Sequence, residues 1–213
     1  MIQLLFDGQW PLFVLIVMAL VISLSFHEFG HASVAYLFGD DTAQRAGRLT
    51  LNPLAHIDPV GLLMVIVAGF GYAKPVPTDP RNFRSYWADL LVSAAGPGMN
   101  LLVAAVAVNF YVLGLKSGWG FLEGQGPRFF FVYLAQINLV LMVFNLIPLG
   151  ALDGHYIMPY LLPRRLAIRY AEFNMRYGNL ALMSLILLGI MGIPVFRFVL
   201  SIGAALLPFI VFV

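Results

Sequence analysis

Four long stretches of this chain contain no Asp, Glu, Lys or Arg: Gly8 to His27, Leu90 to Leu115, Phe129 to Leu152 and Tyr177 to Phe196. Each approaches or exceeds the roughly 20 apolar residues that carry a helix across about 30 Å of hydrocarbon. A fifth, from Phe198 to Val213, is shorter and carries Pro208. A lipid-exposed backbone must satisfy its own polar groups, so unbroken apolar runs of this length read as helices. Composition agrees: 61% of the 213 residues are hydrophobic and 10% are charged, against about 25% charged in soluble domains. The expected fold class is an all-α polytopic integral membrane protein, a helical bundle of about five to six transmembrane segments. The lipid bilayer is its first partner.

Two segments depart from this pattern. Pro59 to Ala73 is apolar but short, lies between Asp58 and Lys74, and contains Pro59, Gly61, Gly69 and Gly71. It reads as a re-entrant or interfacial segment, tolerated where backbone is buried in protein or lines a wet cavity. Arg45 to Asn52 partly alternates apolar and polar residues, the pattern of a short strand or a small β-hairpin at the membrane edge. If Pro59 to Ala73 does not cross, Arg45, Arg48, Lys74, Arg81, Arg84, Arg164, Arg165, Arg169 and Arg176 share one side. Lys116, Arg128 and Arg197 lie opposite. That asymmetry puts the N-terminus outside and the larger basic set on the cytoplasmic side. Met1 to Trp10 holds no Lys or Arg, so the first span is expected to be permanent rather than a cleaved signal.

The first span ends in His27-Glu28-Phe29-Gly30-His31. Two histidines four residues apart share one helix face, and both imidazoles reach a single ion. Glu28 lies about 100° around the helix from His27, beside such an ion and free to act on water. Ionisable groups within an apolar span cost roughly 2.5–3.5 kcal/mol each, which favours function over chance. The chain has no cysteine, so any metal is held by His, Asp or Glu. A catalytic zinc takes three protein ligands and an open position. The remaining candidates are His56, His155, Asp58, Asp89 and Asp153. Asp153 ranks first, because it ends the Phe129–Leu152 run, which crosses in the same direction as the helix carrying the histidines. An Asp at that position also reads as a helix cap.

The chain resembles the site-2 protease family of intramembrane zinc metalloproteases. The matching stretches are F-H-E-F-G-H-A, G-R-L-T-L-N-P-L-A-H-I-D-P-V-G, G-Y-A-K-P-V-P, S-A-A-G-P-G-M-N-L and N-L-V-L-M-V-F-N-L-I-P-L-G-A-L-D-G-H. They cover roughly residues 20 to 157 in the family's order. The resemblance implies one intramembrane metalloprotease domain over 1–213, with a catalytic core at about 10–160 and C-terminal helices at about 177–213. It implies Zn2+ held by His27, His31 and Asp153, with Glu28 as the catalytic base and Asn145 near the active site. It further implies a transmembrane substrate, single-pass, and the basic-residue asymmetry places the active site toward the cytoplasmic side. His155 follows the L-D-G match where the family has a small residue, and reads as a group supporting a ligand.

Asn100 and Asn138, polar residues inside apolar runs, are expected to hydrogen-bond between helices. His56 reads as a loop-structuring residue. A net charge of +2 gives no electrostatic support for a nucleic-acid partner. The rival readings are a non-proteolytic membrane zinc-binding protein and a metal transporter. The clustering of ionisable residues at one depth favours a fixed site over an ion path.

Overall fold

The computed structural model describes residues 1–68, 71 and 73–213, with the backbone alone at Ala68. The helices are α1 (Ile2–Phe6), α2 (Trp10–Leu37), α3 (Thr42–Arg45), α4 (Pro53–His56) and α5 (Pro59–Ala68). After these come α6 (Ala88–Lys116), α7 (Gln125–Asn145), α8 (Asp153–Leu161), α9 (Arg164–Phe173), α10 (Asn179–Ile190) and α11 (Arg197–Leu206). A π-helical turn, Asn174–Gly178, joins α9 and α10 into one helix.

Four helices among the described residues are long and apolar enough to cross a membrane: α2, α6, α7 and the joined Arg164–Ile190. The α6 helix packs extensively against both α2 and α7, which also touch each other. Ala19, Ala104, Ala107 and Ala135 are almost fully buried at these contacts. Small side chains let the backbones approach, which matters where lipid offers no hydrophobic gain for association. Large apolar residues such as Met18, Leu102, Val106, Met183 and Leu187 are exposed on the outside, a surface that suits lipid rather than water.

Buried polar side chains tie the three central helices together. Asn100 on α6 donates to Asn138 Oδ1 on α7 at 2.8 Å and to Ser23 O on α2 at 3.3 Å. Asn138 donates to Ser23 Oγ and Leu134 O, both at 2.7 Å. An unsatisfied buried amide costs about 1–3 kcal/mol, so this mutual pairing fixes the register of the helices.

At the end of α2, Gly39 turns left-handed at φ 100°. The Asp40 and Gly39 amides then bond back to Ala35 O and Tyr36 O, closing the helix as a Schellman motif. Asp40 itself is fully buried. Its carboxylate accepts from Thr42, from Asn82 Nδ2 at 2.9 Å and from Asp79 N at 2.7 Å. Burial pushes the Asp40 carboxyl up, but these hydrogen bonds outweigh it and hold it below the ordinary 3.8. A depressed native value stabilises the fold at pH above the unfolded value, and the contribution is lost as pH falls through the native one. Thermal unfolding of Asp40→Asn should therefore fall less steeply than wild type as pH drops below 3.8. Parallel slopes would exclude Asp40 as the source.

The structure corrects four expectations. Among the described residues the candidate spans number four rather than five to six, because α11 with its following 3-10 turn (Arg197–Ile210) is too short. No strand or hairpin occurs among the described residues. In Arg45 to Asn52, Gly47 at φ 68° closes α3 through Arg48 N–Ala43 O and Gly47 N–Gln44 O bonds. Further along, Thr50 O binds His56 and Asn52 caps α4. Those backbone and side-chain groups are thus committed elsewhere. The segment at Pro59 is a ten-residue helix, α5, capped by Asp58 Oδ1 at 2.9 Å from the Val60 and Gly61 amides. The described residues give no support for a re-entrant excursion, and Gly69, Phe70 and Tyr72 lie outside them. Lastly, the third span stops at Asn145 instead of Leu152, so Asp153 begins α8 rather than ending a span.

Candidate metal centre

Three of the sequence-derived residues meet at one point. His27 and His31 lie one turn apart on α2, with Nε2 atoms 3.1 Å apart. Asp153, the first residue of α8, places Oδ2 3.3 Å from His27 Nε2 and Oδ1 3.3 Å from His31 Nε2. These residues form a group able to hold a metal ion.

The far side of each imidazole fixes its tautomer. His27 Nδ1 lies 2.6 Å from Asn100 Oδ1, and His31 Nδ1 lies 2.7 Å from the Val92 carbonyl. Both partners are acceptors, because the Asn100 amide nitrogen is committed to Asn138 and Ser23. Each Nδ1 therefore donates, and each neutral ring turns a lone pair on Nε2 toward the other. Asp153 adds a carboxylate, and its Oδ2 is buried with no hydrogen-bond partner.

Three acceptors facing one another repel unless a cation lies between them. Donors bound at about 2.0–2.1 Å around a tetrahedral zinc sit about 3.4 Å apart, close to the separations seen here. The donor set therefore fits zinc. Gly96 on α6 makes the room: a Cβ there would overlap His31 Nε2 and lie 2.6 Å from His27 Cε1.

The loop between α7 and α8 delivers Asp153. Gly150 adopts φ 63°. The Asn174 side chain grips it twice, accepting from Gly150 N at 3.0 Å and donating to Gly150 O at 3.1 Å. Tyr170 donates to Pro148 O at 2.9 Å. Gly154 lets α8 start against the Leu146 carbonyl, which any Cβ there would strike.

Glu28 is buried beside His27, and its Oε2 accepts from the Val76 amide at 3.0 Å. Asn145, the last residue of α7, donates back to Leu141 O at 3.0 Å. No hydrogen bond joins it to His27, His31 or Asp153 among the described residues. His155 lies 3.3 Å from the Tyr170 hydroxyl. Burial pushes the His155 imidazole down, partly offset by the charge of Asp89. His56 binds Thr50 O at 2.7 Å. Neither His155 nor His56 belongs to the metal-holding group.

Sequence reasoning gave Asn100 an interhelical bond, and the structure adds that Asn100 orients His27. Its position as an amide deep in an apolar span was the available signal. The Val92 carbonyl and the Val76 amide had none, since backbone groups carry no residue signature.

The profile of Peptidase family M50 matches residues 15–126 and 120–189. The YwhC protein of Bacillus subtilis is 46% identical over 153 residues, 70% of this chain and 69% of its own length. Rip2 of Mycolicibacterium smegmatis is 33% identical over 154 residues, 67% of this chain and 55% of its own length. Rip2 of Mycobacterium tuberculosis is 33% identical over 162 residues, 71% of this chain and 59% of its own length. All three carry provisional zinc metalloprotease names. The match thus spans between half and two thirds of the Rip2 proteins. No solved structure matches significantly. The chain belongs to peptidase family M50, the site-2 protease family of intramembrane zinc metalloproteases.

Proposed function

We propose that this protein hydrolyses peptide bonds of transmembrane proteins, single-pass ones above all, at the site built by His27, His31, Asp153 and Glu28. The observation that carries the reading is the convergence of two Nε2 lone pairs and a partnerless carboxylate oxygen beside a buried glutamate. His27, His31 and Asp153 would hold zinc there, and the ion would supply Lewis acidity for the scissile carbonyl and for the attacking water. Asn100 and the Val92 carbonyl hold the two imidazoles in the ligating tautomer. Glu28 accepts a proton from the attacking water as the new C–O bond forms. It then delivers that proton to the amide nitrogen as the C–N bond breaks. Asn145, in the F-N-L-I-P stretch, hydrogen-bonds the substrate backbone near the scissile carbonyl, as the resemblance implies. A substrate helix has to unwind first, because its carbonyls are internally bonded.

The basic residues favour a cytoplasmic active site, since α2 runs toward the side holding Arg45, Arg48, Lys74 and Arg84. The whole chain acts as one domain, with the core at about 10–160 and the C-terminal helices beside it. Metal analysis of purified protein tests the ligand set. Asp153→Ala should lower zinc affinity by at least the 10–100-fold typical of lost supporting contacts, whereas His155→Ala should retain the metal. The reverse ranking would replace Asp153 with His155.

A further inference from the structure

An extended segment, residues 73–79, passes Glu28 and hydrogen-bonds it through the Val76 amide, at 3.0 Å from Oε2. Pro75 and Pro77 have no N–H, so Val76 supplies the only backbone donor of that tripeptide. The segment is fastened on both sides of this point. Arg48, only 5% exposed, donates Nη1 to Pro75 O at 3.2 Å and Nη2 to Lys74 O. His56, 1% exposed, donates Nε2 to Thr50 O at 2.7 Å, which leaves Nδ1 as an acceptor facing Arg48 Nη2 at 3.4 Å. The His56 carbonyl accepts from Lys74 N at 2.8 Å. At the other end Asp40 accepts from Asp79 N at 2.7 Å.

Arg48 has no ion pair among the described residues. A buried charge without a counter-ion is costly, and nearly all of its hydrogen bonding goes to two consecutive carbonyls just before Val76. We propose that Arg48 is a positioning residue for the general base. By holding Lys74 and Pro75 it keeps the Val76 amide on Glu28 Oε2, which fixes the carboxylate and leaves its second oxygen to take the proton. The inference rests on Glu28 being the base, as read above. The Val76 side chain has no part in it; the amide alone does.

Val76→Pro removes that donor, and Val76→Ala keeps it. Both are compared with Arg48→Ala, Arg48→Lys and the double variant Val76→Pro/Arg48→Ala. The assay uses full-length protein in proteoliposomes with a single-span test protein that the wild type cleaves. Val76→Pro and Arg48→Ala should each lower kcat by about 10–100-fold, the range for contacts that orient a reactive group. KM and zinc content should stay unchanged, Val76→Ala should lose far less than Val76→Pro, and Arg48→Lys should recover part of the loss. The double variant should fall no further than the weaker single one, because both changes remove one interaction.

Unchanged or raised kcat in Val76→Pro, losses confined to KM or zinc, or additive losses would each overturn the proposal. If Val76→Pro does not fold, the Arg48 pair decides. A kcat loss at constant zinc that lysine restores supports the inference, and its absence ends it. Glu28→Gln is run alongside. An active Glu28→Gln removes the base reading itself, whereas an inert one beside a fully active Val76→Pro removes only the role of Arg48.

Discussion

Glu28→Gln should stop proteolysis while leaving zinc in place. The substitution keeps the size and hydrogen-bonding reach of the side chain, so the Val76 amide still finds an acceptor oxygen at 3.0 Å. It removes only the ability to take a proton. General acid–base groups contribute typically 10²–10⁴-fold to rate, and kcat should fall by about that much. Zinc content should stay at the wild-type level, because Glu28 is outside the metal-holding group of His27, His31 and Asp153. Cleavage of a single-span test protein measured beside metal analysis separates the two effects. Loss of zinc together with activity would make Glu28 a ligand or a scaffold rather than the base.

Gly96→Ala should empty the centre without touching a ligand. The added methyl would overlap His31 Nε2 and lie 2.6 Å from Cε1 of both His27 and His31. Both rings are pinned from behind by Asn100 and the Val92 carbonyl, so neither can withdraw without breaking a buried hydrogen bond. Reactive constellations tolerate displacements of only about 0.5 Å. Zinc affinity should drop by at least about 10–100-fold, the range seen when groups orienting a ligand are altered, and cleavage should drop with it. Gly98→Ala is the control. Gly98 sits two residues along the same helix, is exposed, and an added Cβ meets nothing within 4 Å. That variant should keep both zinc and activity. Equal loss in the two variants would place the effect in the helix rather than in the site.

The spans were legible because lipid imposes a local rule, a charge-free run long enough to cross. That rule placed both ends of α6 and the start of α2 within two residues, while α2 runs on to Leu37, past the charge-free run's end at His27. It failed where apolar residues continue past a helix end. Phe129 to Leu152 is one uncharged run, yet the helix stops at Asn145, before Pro148 and the left-handed Gly150. The same run hid the loop that carries Asp153 to His27 and His31. The expected hairpin at Arg45 to Asn52 failed for a related reason. Its apolar–polar alternation says nothing about Gly47 closing a helix or His56 claiming the Thr50 carbonyl.

The sequence by itself determined the membrane class, the family, and the placement of His27 and His31 on one face of a single helix. Each follows from residue order and helical period, which are local properties of the chain. The tertiary structure alone decided how Asp153 closes the triangle, which nitrogen of each imidazole faces its carboxylate, and why a glycine stands at 96. It also decided that the Val76 amide, held through Arg48, meets Glu28. Those contacts join residues from 26 to 126 positions apart. They depend on helix crossings and loop turns, and on backbone groups that every residue carries alike.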